Sequence, residues 1–214
     1  MVAMPDFLLN IPWVREGGVV MLVLYGVSLV GLSLILERMV ALRQRATVPR
    51  DWLAHVREVV VDEGIEGLGE PAVWPRSTAA AALGHLVAIR ELVPAVDVEL
   101  VDQAVTRQED RLLRGIAGLG MLAALAPLLG LLGTVAGMIE TFRMIAAGGI
   151  GDPKALAGGI YQALYTTAGG LTIAIPLTVA YRLLRRRAER LATELEAFLV
   201  EIVHIDRNRG GRAQ

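Results

Sequence analysis

Three stretches of this sequence contain no charged residue and no histidine, and each is long enough to cross a lipid bilayer. They are residues 19–36, 116–139 and 155–181. An α-helix rises about 1.5 Å per residue, so about 20 residues span a hydrocarbon core of about 30 Å. We therefore predict an all-α integral membrane protein with three transmembrane helices, at residues 17–38, 115–142 and 155–184.

The composition supports apolar spans that alternate with polar segments outside the membrane. Of the 214 residues, 54% are hydrophobic and 20% are charged, which is unusual for one uniformly mixed soluble domain. The net charge of −1 and the lack of a basic patch predict no nucleic-acid partner. Cysteine is absent, which excludes disulfides and thiolate metal sites. No cleavage site follows the first apolar stretch, so we expect that span to be retained.

The placement of basic residues predicts the orientation in the membrane. One side carries only Arg15, Arg143 and Lys154. The arginines that flank the spans on the other side are Arg38, Arg43, Arg45, Arg50, Arg107, Arg111, Arg114, Arg182, Arg185, Arg186, Arg187 and Arg190. By the positive-inside rule, the helical region 39–114 and the C-terminal helix and tail 185–214 are cytoplasmic. Residues 1–16 then form a periplasmic interfacial segment, or alternatively a disordered tail, and residues 143–154 form a periplasmic loop.

Helix start and stop signals predict that the second and third spans extend into the cytoplasm. After Pro94 nothing interrupts the helical pattern before span two, which predicts a helix of about 45 residues. Asp152 and Pro153 suit the N-cap and first positions of a helix that enters span three. Its apolar periodicity predicts about four further turns in the cytoplasm and a frayed end at 207–214. Ser77 or Thr78 is predicted to cap an alanine-rich helix.

Small residues form a stripe on the second and third spans. On span two the stripe is Ala123, Pro127, Gly130, Thr134, Gly137 and Thr141, and on span three it is Gly159, Ala163, Thr167, Gly170 and Ala174. Such stripes allow close helix approach in a bilayer. Pro176 also removes one backbone donor in mid-span. The threonine hydroxyls either bond carbonyls of their own helices or face a lumen shared by a ring of subunits.

The sequence offers no catalytic, cofactor or metal site. His55, His85 and His204 lie far apart and share no ligand spacing, and the glycine-rich segments lack the lysine of a phosphate loop. We therefore expect neither an enzyme nor a bound cofactor. No Asp, Glu, Lys, Arg or His lies inside the core of any span, and Glu37, Arg38 and Glu140 lie only at the span ends. If protons cross the membrane here, another chain must supply the titrating group.

The segments APLLGLLGTVAGMIETF and GGIYQALYTTAGGLTIAIPLTVAYR resemble the MotA/TolQ/ExbB proton channel family, and Glu37-Arg38 follows the first span as in ExbB and TolQ. The resemblance implies a pentamer around an ExbD- or TolR-like single-span partner that carries a membrane Asp. It implies pore-lining or proton-pathway roles for Thr134, Thr167, Pro176, Gly130, Gly137, Gly170 and Ala174. Gln162 stands where the family has Glu, and an amide cannot carry a proton, so no proton-carrying role is expected for Gln162. Gln162 and Glu140 are expected to be polar pore or partner contacts.

The function implied by the resemblance is a bacterial inner-membrane channel or motor subunit that couples the proton motive force to transport or envelope work. ExbB-like energisation of a TonB system is favoured over a TolQ-like role with a TolA-like protein. The alternatives are a non-conducting oligomeric membrane scaffold and a solute transporter subunit. A transporter predicts internal repeats or broken helices at mid-membrane, and the sequence has neither.

Overall fold

The computed structural model describes residues 12–43, 48–70, 73–90, 98–146 and 153–210, and within these ranges the regular structure is entirely helical. The helices are α1 (Pro12–Ala41), α2 (Arg50–Glu63), α3 (Thr78–Arg90), α4 (Val98–Ala146) and α5 (Pro153–Gly210), with a 3₁₀ turn at Ile65–Leu68. Three of them, α1, α4 and α5, are long and apolar enough to cross a membrane. The prediction of an all-α membrane protein with three spanning helices is confirmed.

Two of the helices are much longer than a bilayer requires. Helix α4 has 49 residues and α5 has 58. At 1.5 Å per residue both exceed about 70 Å, more than twice the thickness of the hydrocarbon core. Helix α5 begins at Pro153, as the Asp-Pro pair predicted, although Asp152 itself lies outside the described residues. So do residues 1–11 of the predicted interfacial segment and residues 147–152 of the predicted periplasmic loop.

The chain divides into two compact units. The membrane unit comprises residues 1–36 and 117–182, and the aqueous unit comprises residues 37–116 and 183–214. Helices α1, α4 and α5 each contribute residues to both units.

The membrane unit exposes large apolar side chains on most of its surface. Leu29, Leu128 and Phe142 are 69%, 59% and 61% exposed, which would be costly in water. Less than a third of the most apolar window of each spanning helix is buried within the chain. This surface is suited to lipid or to other membrane helices.

Helix α1 is kinked near its start and packs by a few residues only. Gly18 has a φ of 63° and a ψ of −160°, a conformation that a residue with a Cβ rarely adopts. Beyond the kink, Met21 and Leu24 are buried in a cluster with Ala126 of α4 and Ala174 of α5.

The aqueous unit has a conventional hydrophobic core. Its fully buried side chains include Val56, Val60, Leu83, Leu195 and Leu199. At the start of α3 the backbone N–H of Ala80 donates to the Ser77 hydroxyl over 3.1 Å, so Ser77 is the cap that the sequence left open between two residues. Nearby, the rings of Trp52 and Trp74 lie 5.8 Å apart, and the Trp74 indole N–H donates to the Leu68 carbonyl.

The C-terminal helix is longer than the sequence predicted. The expected four turns and frayed end at 207–214 are wrong for residues 207–210, because α5 continues to Gly210, and residues 211–214 lie outside the described ranges. The reason is tertiary: Ile202 and Val203 are buried in the core. The Asp206 carboxylate accepts the backbone N–H of Ile65 over 3.1 Å, and Arg57 of α2 binds Glu201 over 2.6 Å.

Candidate functional site

The two small-residue stripes meet each other along the contact between α4 and α5. A Cβ at Gly130 would lie 3.0 Å from the Thr166 carbonyl oxygen and 3.1 Å from the Thr167 Cα. A Cβ at Gly170 would lie only 2.7 Å from the Ala126 carbonyl oxygen. Since these neighbours are backbone atoms, they cannot rotate away. The absence of side chains at these glycines is therefore what lets the two backbones touch.

The contact extends toward the α4 C-terminus through Gly133 and Gly137. A Cβ at Gly137 would lie 3.0 Å from the Ala163 Cβ and 3.1 Å from the Gly159 carbonyl oxygen. A Cβ at Gly133 would overlap the Thr166 side chain, which is 1% exposed. The closely packed contact therefore covers about three turns of each helix.

The hydroxyls at this contact fall into two classes. Thr167 donates across the contact to the Gly130 carbonyl of the other helix over 3.1 Å. Thr134 instead donates within α4, to the Leu131 carbonyl over 2.6 Å, and remains partly exposed. Thr166 likewise bonds the Ala163 carbonyl of its own helix over 2.8 Å. Of the two threonines that the resemblance singled out, only Thr167 links the helices.

The predicted proline and alanine positions on α5 lie on different sides of the helix. Ala174 is buried against α1 and α4, whereas Pro176 is exposed on the surface of the membrane unit. Both α4, at Pro127, and α5, at Pro176, continue as helices through the proline. Each proline leaves the carbonyl four residues earlier without its usual helical donor.

Gln162 and Glu140 are not brought together with the threonines. The Gln162 amide lies beside Gly18, where a Cβ on the glycine would overlap it. Gln162 is thus packed against the kink of α1 and is partly buried. Glu140 is exposed and faces Arg143 one turn later, with 3.7 Å between its Oε2 and the guanidinium.

The structure thus places the predicted residues in a helix contact within one chain, and their assignment to a pore stays a prediction. Gly130, Gly137, Gly170 and Ala174 are buried, and Thr167 is partly buried. Sequence reasoning missed Ala126, Gly133 and Thr166, each one residue from the predicted stripe. The buried line on α4 is Ala123, Ala126, Gly130, Gly133, Gly137 and Thr141. A small residue at position 133 was the available signal.

Within the described part of the chain, no group of three potential metal ligands comes together. The fold and the site define a polytopic helical membrane protein in which two long helices touch through glycines. Residues 19–36, 116–139 and 155–181 of its spans contain no Asp or Glu. More than half of the chain, residues 76–197, matches the MotA/TolQ/ExbB proton channel family. The chain belongs to this family.

Similar proteins carry ExbB and TolQ names. The biopolymer transport protein exbB1 of Vibrio cholerae is 46% identical over 84 residues, 38% of this chain and 36% of that protein. The putative biopolymer transport protein ExbB-like 1 of Synechocystis is 33% identical over 176 residues, 79% of this chain and 68% of that protein. The Tol-Pal system protein TolQ of Pseudomonas aeruginosa is 35% identical over 108 residues, covering 47% of each chain. The shared segments thus range from about a third to two thirds of these relatives.

Proposed function

We propose that this chain is a proton-channel subunit, rather than an enzyme, and that it couples the proton motive force to work in the cell envelope. The observation that carries the proposal is the match of residues 76–197 to a proton channel family. Residues 19–36, 116–139 and 155–181 contain no Asp, Glu, Lys, Arg or His of their own. A proton crossing this apolar barrier needs a group that can bind and release it. The group must come from a second chain, an ExbD- or TolR-like protein with one span and a membrane Asp.

In this proposal several copies of the chain, a pentamer in the family, surround the partner helix. The surfaces available for that assembly are the exposed faces of α4 and α5, which include Leu131, Val135 and Leu164. The buried contact that holds α4 and α5 together lies behind these faces and includes Gly130, Gly137, Gly170 and Ala174. Thr134 and Pro176 reach the surface, so they are the predicted pore residues best placed to meet a partner.

The threonine hydroxyls are proposed to solvate the partner's carboxylate. The Thr134 hydroxyl donates to a carbonyl of its own helix. Because a hydroxyl rotates about its C–O bond, it can donate to a carboxylate instead. Replacing a hydroxyl by a methyl group next to a buried charge costs about 1–3 kcal/mol. That penalty falls on the charged state alone and would therefore slow proton release more than assembly.

The test is proton uptake by proteoliposomes that contain this chain and its single-span partner. Thr134→Val should abolish dye-detected uptake driven by a membrane potential while the partner still co-purifies. Thr172→Val is the matched control, because Thr172 also bonds its own helix, at the Ala168 carbonyl. Thr167→Ser should retain uptake and Thr167→Val should lose it. Full uptake by both valine variants at 134 and 167 would refute the proton-path assignment.

The second candidate is a non-conducting scaffold, which Gln162 favours. An amide at this position cannot carry a proton, and here it packs against Gly18. A scaffold predicts that the wild-type complex shows no uptake at all, whereas the channel predicts uptake in Gln162→Ala that is close to wild type.

Among channel roles we propose the ExbB type, in the bacterial inner membrane, with the N-terminus periplasmic and the C-terminus cytoplasmic. The proposal is supported by relatives that carry the ExbB name at 46% and 33% identity and by the arginine asymmetry of the sequence. Deletion of the gene that encodes this chain should abolish TonB-dependent uptake and leave the cell envelope intact. Envelope leakage with normal uptake would favour the TolQ role with a TolA-like protein. Labelling of a cysteine at position 187 only from outside would overturn the orientation.

A further inference from the structure

The aqueous unit contains an open cavity of about 440 Å³ beside the end of α1. Its wall includes leucine and alanine side chains, and its polar lining is Arg38, Arg76, Ser77, Thr78, Gln108 and Arg111. These residues come from three separate segments: the last turns of α1, the start of α3 and the first third of α4. The folding of the aqueous unit thus gathers three guanidinium groups around one cavity.

The cavity carries an excess of positive charge. In the described part of the chain no Asp or Glu is among the residues that line the cavity. Glu37 lies next to it, and its Oε1 accepts from the Arg38 Nη2 over 2.7 Å. Glu37 is 58% exposed, so it neutralises Arg38 only in part. The guanidinium groups of Arg76 and Arg111 remain in addition, and both residues are exposed toward solvent. The balance favours an anion as the occupant.

Arg38 is held in place but is incompletely bonded. Its guanidinium lies directly against Gly115 of α4, where a Cβ would overlap it. The Arg38 Nε is buried, and it is the single buried side-chain nitrogen or oxygen without a hydrogen-bond partner in the described part of the chain. A desolvated charged donor without an acceptor is unfavourable. The Arg38 side chain as a whole is 20% exposed, so the accessible part of its guanidinium can meet an oxygen atom of an anionic ligand.

Further donors lie at the same cavity. Gln108 is 7% exposed and contributes an amide. Thr78 contributes a hydroxyl at the first turn of α3, a helix of 13 residues whose amino-terminal end is favourable for negative charge. Planar guanidinium groups bind phosphate oxygens with two parallel hydrogen bonds, which a small halide cannot accept in the same way. The donor set is therefore matched to phosphate.

We propose that this cavity binds the phosphate group of an anionic phospholipid. The lipid is favoured over a free phosphate ion because Arg38 follows the uncharged stretch 19–36 by two residues and Arg111 precedes the stretch 116–139 by five, at the depth of headgroups. The leucine and alanine wall is suited to the glycerol and upper acyl carbons. This site does not depend on the proposed proton path. It adds a lipid to the molecules that this chain is proposed to bind.

The test is native mass spectrometry of the full-length chain, purified in detergent as the assembly that it forms, with added phosphatidylglycerol or phosphatidylcholine. We expect selective retention of phosphatidylglycerol. Arg76→Gln and Arg111→Gln should each weaken it about fivefold, the equivalent of about 1 kcal/mol per arginine. Arg114→Gln is the matched control, since Arg114 is an exposed arginine one turn further along α4 that does not line the cavity.

The outcomes separate the possible ligands. Equal retention of the two lipids, or an equal loss in the Arg76, Arg111 and Arg114 variants, would overturn the site. Competition by millimolar inorganic phosphate or glycerol 1-phosphate would show a site for free phosphate and overturn the lipid assignment. Because Arg76 and Arg111 are exposed, their variants should unfold at the wild-type temperature, and a loss of folding confined to them would contradict the proposal of a ligand site.

Discussion

Replacing Gly170 by alanine should separate α4 from α5. The added Cβ would lie 2.7 Å from the Ala126 carbonyl oxygen, and 3.0 and 3.2 Å from the Gly130 Cα and N. Ordinary van der Waals contact begins at 3.4 Å. The closest pair is therefore about 0.7 Å too near, far inside the range where attraction becomes repulsion. All three neighbouring atoms are backbone, so the helices themselves must move apart.

The expected cost has two parts. Overpacking of a closely packed contact costs about 1–3 kcal/mol. A separation of the same size would also lengthen the 3.1 Å bond from the Thr167 hydroxyl to the Gly130 carbonyl beyond hydrogen-bonding range, and an interhelical hydrogen bond in a membrane contributes about 0.6 kcal/mol. The gain in helix propensity from glycine to alanine, at most about 1 kcal/mol, offsets part of this. We expect a net loss of about 0.6–2.6 kcal/mol in the free energy of unfolding.

The assay is unfolding of the purified protein by SDS titration, followed by circular dichroism. Gly158→Ala is the matched control on the same helix, because a Cβ at Gly158 would meet nothing within 4 Å. It should leave the midpoint unchanged or raise it slightly. If Gly170→Ala and Gly158→Ala have the same midpoint, then the glycines do not set the distance between the helices and the packing argument is wrong.

Three further substitutions test single interactions by the same unfolding assay. Ser77→Ala removes the cap of α3 and should lower the free energy of unfolding of the aqueous unit by about 1 kcal/mol; no change would mean that the cap contributes nothing. Thr167→Val should lose about 0.6–1.7 kcal/mol while Thr172→Val loses less, since only Thr167 bonds another helix; equal losses would contradict the interhelical role. Gly18→Ala should lower the free energy of unfolding by at least about 1 kcal/mol because of the positive φ. Gly26→Ala, at a position in open space, should not lower it. Two similar values would contradict the requirement for glycine at the kink.

Those parts of the fold that depend on local sequence could be predicted. Charge-free stretches are a long, one-dimensional signal, and they placed all three spanning helices. The start of α5 at Pro153 and the cap at Ser77 follow from short-range chemistry as well. The end of α5 at Arg207–Gly210 did not, because the last turns of the helix contact residues far earlier in the chain. The Asp206 carboxylate, for example, accepts the Ile65 N–H from 141 positions away.

Most residues of the candidate site could be predicted from the sequence, but the contacts that they make with each other could not. The stripes of small residues were visible in the sequence, but which stripe contacts which depends on how the helices cross. That crossing places Gly133 and Thr166 in the contact and leaves Thr134 at its edge. A single sequence also carries no information on whether a face meets lipid, a second copy or a partner helix, since all three favour apolar surface in a bilayer.

The tryptophan pair of the aqueous unit gives the protein an optical reporter of its own. The chain has three tryptophans, and two of them, Trp52 and Trp74, lie in that unit with their rings 5.8 Å apart. The third, Trp13, belongs to α1 in the membrane unit. A Trp13→Phe variant would therefore emit only from the aqueous unit. Because exposure of indole rings to water shifts their emission, one spectrum would follow the melting of this unit separately from the helicity that circular dichroism averages over the whole chain. The helicity of α1, α4 and α5 would then no longer mask an unfolding event in this unit.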